Sequence, residues 1–193
     1  MKKRIIVAVT GATGSIYGQQ LLQQLRDEPG VETHLIVSRA GALTIATELR
    51  ASLREIESLA DVVHSDQNIG ASIASGSFQT HAMIVAPCSM NTLAGIAAGI
   101  ADSLILRAAD VTLKERRCLV LLVRESPLHL VHLRNMTTVT EMGGVVAPPM
   151  PAFYANLESM EDMVAQTIAR TLDLIGIDSP SLRRWPGVEM LKK

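Results

Sequence analysis

Two cysteines, Cys88 and Cys118, are too few and too isolated for a disulfide framework or a zinc cluster; their scarcity fits a reducing, cytoplasmic location. Neither sign of charge dominates. With 18 Lys and Arg against 19 Asp and Glu the formal net charge is -1, which removes the general basic footprint of a nucleic-acid binder. No apolar run approaches the ~20 residues of a membrane span. Lys2, Lys3 and Arg4 precede an apolar stretch that is too short for a secretion signal and lacks a cleavage-site pattern. Internal repeats, low-complexity tracts and linkers are also missing. What remains is a single domain over residues 1–193, able to bury a full core without disulfides or metal. Its 48% hydrophobic content and mean hydropathy of +0.25 are high for a soluble chain and imply apolar surface buried between subunits.

Apolar strands and helices alternate along the chain. Residues 4–10 read as a strand, 15–27 as a helix with Leu21, Leu22 and Leu25 inward, and Pro29-Gly30 as a break. Thr33–Ser38 reads as a strand, 40–60 as helix interrupted near Ala51-Ser52, and 61–81 as a long loop around at most one short strand. Met83–Pro87 is a buried strand, 89–99 and 104–115 are helices, and Cys118–Val123 is a nearly pure apolar strand. A helix through about Met142, a last strand at Gly144–Ala147, a rigid Pro148–Pro151 loop and a helix over 158–175 complete the pattern. Continuous apolar strands separated by helices predict a Rossmann-like three-layer α/β/α fold with a parallel sheet covered on both faces.

In such a sheet, ligands sit beyond the carboxyl ends of the strands. The segments found there are Thr10–Ser15, Ser38-Arg39, Pro87–Thr92, Arg124-Glu125 and Pro148–Tyr154. The first, TGATGS, follows a β-branched run and opens a helix, so it reads as a phosphate cradle: glycine admits close approach, and free amides favour an anion. A dinucleotide site of the NAD type wants an acidic residue after the second strand, where this chain has Ser38-Arg39. Arg39 suits an NADP phosphate, but the chain has no Tyr-x-x-x-Lys pair: Leu21 follows Tyr17 and Glu158 follows Tyr154 at that spacing. FMN fits better, since it offers one phosphate and Ser89-Met90-Asn91-Thr92 opens a second helix nearby. By its local pattern alone, Ser89 reads first as a simple helix cap.

The chain resembles the flavin prenyltransferases of the UbiX and Pad1 group. The resemblance is carried by TGATGS, SGS at 75–77, APCSMNTLAGIAAGIADSLILRAADVTLKERRCLVLLVRESPL at 86–128, HLRNM at 132–136, PPMPAFY at 148–154 and RRW at 183–185, with Pro87–Glu125 the most specific part. It implies a homo-oligomeric flavoprotein of the Cys-decarboxylase-like superfamily, commonly a dodecamer. The implied reaction moves a dimethylallyl group from dimethylallyl phosphate onto N5 and C6 of reduced FMN, without metal. The product, prenylated FMN, serves UbiD-type decarboxylases.

The same resemblance assigns roles residue by residue. Gly11, Ala12, Thr13, Ser38, Ser89, Met90, Asn91, Thr92 and Arg124 match FMN-binding positions; Thr13 stands where many relatives have serine. Tyr154 and Arg170 match the allyl-phosphate ligands, with Lys114 and Arg124 also handling phosphate. Glu125 matches the acid that exchanges protons with phosphate and flavin C6, Lys114 and Glu48 match further catalytic positions, and His132 reads as structural. Trp185 has two readings, stacking near the prenyl or flavin face, or packing a tail of about residues 176–193 on a neighbouring subunit. Each charged residue also has a plain reading as a solvated or ion-paired surface group. Relatives commonly carry proline just before the Arg-Glu pair, where this chain has Val123; its loss puts the position of Arg124 in question. Arg134 replaces a common glutamate, and Ala155-Asn156-Leu157 alters the turn after Tyr154. Two alternatives stand beside prenyl transfer. One is a flavin-dependent decarboxylase of the same superfamily, against which the PMPAFY segment and the solitary Asn91 speak. The other is a protein that binds and delivers FMN without turnover.

Overall fold

The computed structural model describes residues 2–188. Two compact units form within the chain, Met1–Pro148 and Pro149–Lys193. The first holds six parallel strands: β1 (Lys3–Val9), β2 (Val31–Val37), β3 (Val62–Ser65), β4 (Ala82–Cys88), β5 (Cys118–Val123) and β6 (Val145–Val146). Their order is β3-β2-β1-β4-β5-β6, so the chain builds outward from β1 in one direction and then crosses back to continue at β4. That reversal leaves a crevice beyond the carboxyl ends of β1 and β4.

Six helices belong to this unit: α1 (Ser15–Arg26), α2 (Arg39–Glu48), α3 (Leu53–Glu57), α4 (Met90–Ala97), α5 (Leu104–Lys114) and α6 (Leu130–Glu141). Alternate strand residues serve opposite faces. Ile6, Ala8, Met83, Val85, Leu119 and Leu121 pack with Leu93 and Ile96 of α4 and with Leu104, Ala108 and Ala109 of α5. On the other face α1 buries Leu21, Leu22 and Leu25, and its Gly18 lies against Val9 and the Ala86 carbonyl. The central strand β4 is buried along its whole length, which explains its unbroken apolar sequence.

Local chemistry sets the boundaries. The helical pattern over 40–60 divides at Ser52, whose side chain and that of Glu55 form a reciprocal capping box that starts α3. The helix after β5 begins only at Leu130, because Arg124–His129 form a loop with a cis Ser126-Pro127 bond. The missing proline does not divert β5: Val123 pairs with Cys88, and the Arg124 N–H continues the ladder to the Cys88 carbonyl at 3.1 Å.

In the second unit, α7 (Met160–Leu174) is started by Ser159, which accepts the Asp162 N–H. The buried Gln166 clamps the following segment, giving its amide hydrogen to the Arg183 carbonyl at 2.8 Å and accepting the Arg183 N–H at 2.9 Å. The Arg183 guanidinium donates in turn to the carbonyls of Ala155 and Asn156, at 2.7 and 3.0 Å. The stretch from Gly176 to Arg183 therefore folds back on α7; residues 189–193 of the predicted tail lie outside the described residues.

The two halves of the sheet are fastened at Thr10, which is 1% exposed. Its hydroxyl donates to the Pro87 carbonyl at 2.7 Å and accepts the Ser89 N–H at 2.8 Å. Thr10→Val keeps the shape but strands two buried polar groups, and is expected to lower stability by about 1–3 kcal/mol in urea denaturation.

Candidate active site

Four helices begin around the crevice, and the chemistry of each start differs. A helix N-terminus exposes unpaired amides and the positive end of its dipole. At α2, Ser38 Oγ accepts the Gly41 N–H at 2.9 Å. At α4, Ser89 Oγ accepts the Thr92 N–H at 3.3 Å and meets the Thr92 hydroxyl at 3.1 Å. Both caps are neutral. Among the described residues, the amides of Arg39 and Ala40 in α2, and of Met90 and Asn91 in α4, have no acceptor.

The other two starts carry carboxylates of the chain itself. Gly14, at φ +104°, turns the backbone into α1 and provides no side-chain cap. In its place Glu48, at the end of α2, accepts the N–H groups of Gly14 and Ser15 through Oε2 at 2.9 and 2.8 Å. At α5, Asp66 accepts the Ile105 N–H through Oδ1 at 3.0 Å and the Leu104 N–H through its carbonyl at 2.7 Å. In the TGATGS segment Glu48 thus fills the helix start, and the Ala12 N–H turns back to the Thr10 carbonyl at 2.9 Å. Gly11 is glycine for packing, since a Cβ there would collide with Ala40.

Gly11, Ser38, Arg39, Ser89, Asn91 and Thr92 line one cleft of about 440 Å³, together with Asp66, Asp102, Ser103, Ile105 and Leu106. Two neutral caps with free amides, one guanidinium and an apolar stretch suit a ligand with a single phosphate and a flat, partly apolar body, so the donor set fits FMN. Ala12 is buried beside the cleft, Thr13 is exposed and gives its hydroxyl to Glu48, and Met90 turns toward the core. Asp66, Asp102 and Ser103 were not singled out as ligand-facing from sequence. The signal for Asp66 was its place just after a short strand, and for Ser103 its place as a cap before an apolar helix.

Arg124 follows β5, and its charge reaches Tyr17: burial pushes the Tyr17 phenol up, and Arg124 opposes the rise. Tyr17 also lies against Gly14, where its ring would meet an added Cβ at 2.9 Å. Glu125 is exposed and accepts the Ser126 N–H at 3.0 Å. Cys88 is fully buried and its thiol is pushed up to about 12 by desolvation, so it is inert as a nucleophile.

Lys114 is not in the cleft of its own chain. Helix α5 starts at the cleft and runs back antiparallel to the strands, which puts its eleventh residue about 15 Å away, toward the amino ends of the strands. There Lys114 is ion-paired with Glu115, and Gly76 of the SGS segment lies close against both. Tyr154, Arg170 and Trp185 all belong to the second unit. The rings of Tyr154 and Trp185 meet edge to face with centroids 5.5 Å apart. Arg170 is ion-paired with Asp173, which also pairs with Arg184. Among the described residues, no three His, Cys, Asp or Glu side chains are grouped to hold a metal ion, and no helix is long and apolar enough to cross a membrane.

The family model described as Flavoprotein matches residues 1–172. Flavin prenyltransferase UbiX of Escherichia coli K12 is 53% identical over 187 residues, covering 96% of this chain and 99% of the relative. The chain belongs to the flavin prenyltransferase family. A crystal structure of AnUbiX (PadA1) in complex with FMN and dimethylallyl pyrophosphate superposes with a TM-score of 0.94 at 48% identity, covering 97% of this chain and 99% of that one. A dodecameric FMN-dependent UbiX-like decarboxylase from Escherichia coli O157:H7 gives a TM-score of 0.93 at 52% identity, covering 95% and 100%. The FMN-dependent cysteine decarboxylase SpaF shares the fold alone, with a TM-score of 0.62 at 19% identity over 78% of this chain and 86% of its own. The chain and these structures thus share one parallel α/β architecture.

Partial burial raises the Glu48 pKa, but hydrogen bonds from Thr13 and from the Ser15 and Gly14 amides outweigh it and leave the carboxyl below its ordinary value of 4.5. A depressed folded-state pKa stabilises fully above the unfolded value and is lost as pH falls through the folded one. Glu48→Gln is therefore expected to flatten the fall of Tm with pH below about 4.5, measured against the parent by calorimetry.

Proposed function

We propose that this protein transfers a dimethylallyl group from dimethylallyl phosphate to N5 and C6 of reduced FMN, and that the prenylated FMN passes to a UbiD-type decarboxylase. The observation that carries this reading is the mononucleotide-sized cleft between two hydroxyl-capped helix starts, in a chain of this family. Ser38, Ser89, Asn91 and Thr92 would hold FMN with the α2 and α4 amides, while Gly11 and Ala12 form the floor beside them. Reduced FMN supplies the nucleophilic N5 and C6.

Breaking the allylic C–O bond leaves a phosphate whose negative charge must be met by groups fixed in advance. Arg124, Arg170 and the Tyr154 hydroxyl are assigned to that phosphate. The Tyr154 and Trp185 rings offer π faces to an electron-poor allyl group. The second bond, to C6, requires loss of the C6 proton, and the Glu125 carboxylate is assigned to accept it and return it to phosphate. Glu48 is given a positioning role: its carboxylate closes the α1 start and keeps the Thr10–Ser15 loop in shape. Lys114 cannot reach the cleft of its own subunit, so it serves phosphate only from a neighbouring copy, as a homo-oligomer allows. We further assign the protein to a dodecamer and to the cytoplasm.

The direct test is anaerobic incubation with reduced FMN and dimethylallyl phosphate, followed by mass spectrometry of the released flavin. A C5 addition is expected; bound FMN with no mass gain would favour a delivery protein instead. Glu125→Gln is expected to retain FMN while slowing adduct formation by about 10²-fold or more. Arg170→Ala is expected to raise the KM for the allyl phosphate by about tenfold or more with flavin affinity kept, since it removes a charge-assisted contact. Lost flavin binding in that variant would contradict the assignment.

A further inference from the structure

We propose that Asp66 and Asp102 make the cleft selective for a mononucleotide and exclude the diphosphate-linked dinucleotide FAD. This inference rests on the flavin reading above. The strand order is the one in which an open parallel sheet has room for a dinucleotide across its switch point, so topology alone does not account for a preference for FMN. The cleft wall does. Its phosphate-receptive groups are the α2 and α4 starts, with Arg39 as the cation.

The start of α5 lines the same cleft and offers the next set of helix amides that a second phosphate would use. Those amides are engaged. Asp66 takes the Leu104 and Ile105 N–H groups, and Ser103 Oγ accepts the Leu106 N–H at 3.4 Å. The Asp66 carboxylate neutralises the helix dipole and leaves a negative charge facing the cleft. Asp102, exposed and next in sequence to the Ser103 cap, adds a second negative charge to the same wall. A single phosphate at the hydroxyl-capped side meets Arg39; a second phosphate extending across the cleft meets two carboxylates and no free helix amide. Repulsion against the wrong ligand is a general route to selectivity.

Both substitutions that test this are conservative. Asparagine remains a good helix cap, so Asp66→Asn keeps the α5 start while removing the charge, and Asp102→Asn changes an exposed residue. Affinities for FMN, FAD and riboflavin are read by flavin fluorescence for the parent, Asp102→Asn and the double variant. The parent is expected to prefer FMN over FAD, and the double variant to narrow that ratio about tenfold at low ionic strength and less at high salt. Riboflavin, which carries no phosphate, should be unaffected. An unchanged FMN to FAD ratio in a double variant that still binds FMN, or a parent that takes FAD as readily as FMN, overturns the selectivity proposal alone. A parent that binds none of the three flavins overturns the flavin reading and this proposal with it.

Discussion

The crevice depends on how the positive ends of four helices are neutralised. Each helix start carries the same backbone charge, so the identity of its cap decides whether that charge is spent inside the protein or left for a ligand. Glu48 and Asp66 spend it at α1 and α5. Ser38 and Ser89 do not, because a hydroxyl satisfies one amide without bringing a charge. A sheet edge with four equivalent anion sites is thereby reduced to two. Thr10 fixes the α4 site to the end of β1 with two buried hydrogen bonds, so the geometry of this pair is inherited from the sheet and does not depend on a mobile loop.

The same division separates what the sequence reveals from what it conceals. Strands are legible because a parallel sheet buried on both faces needs unbroken apolar runs, and β4 and β5 have them. A cap is legible at Ser89, because serine before an apolar helix has a local use there. The occupancy of a glycine-rich loop is not local. Glu48 reaches Gly14 across 34 positions, and nothing in TGATGS indicates that the Gly14 and Ser15 amides are already taken. The motif reports a tight turn into a helix; only the fold reports what sits in front of it.

Lys114 shows a different limit. Its helix was legible, and so was the sheet, but a residue's distance from the crevice depends on which end of the helix it occupies. In parallel α/β units the connecting helix runs opposite to the strands, so chemistry at the strand ends can recruit a helix start but not the end of the same helix. Asp66 and Ser103 are near the cleft for the reason that Lys114 is far from it. The role that the family resemblance gives Lys114 is consistent with this geometry only if Lys114 serves the cleft of another copy.

The second unit addresses a related difficulty, how an arginine can be held in place and still be free for a phosphate. Arg170 is ion-paired with Asp173, one turn further along α7, and such a pair normally competes with any incoming anion. Asp173, however, is shared. Arg184 binds it as well and is the larger cause of its depressed pKa, ahead of Arg170. In the proposed reaction, where Arg170 turns to a phosphate, Asp173 would therefore keep Arg184 as its cation. The Gln166 and Arg183 clamp supplies Arg184 by holding the returning segment against α7. The RRW segment thus acts as a unit: its first arginine anchors the turn that carries Tyr154, its second shares Asp173 with Arg170, and its tryptophan meets the Tyr154 ring edge to face.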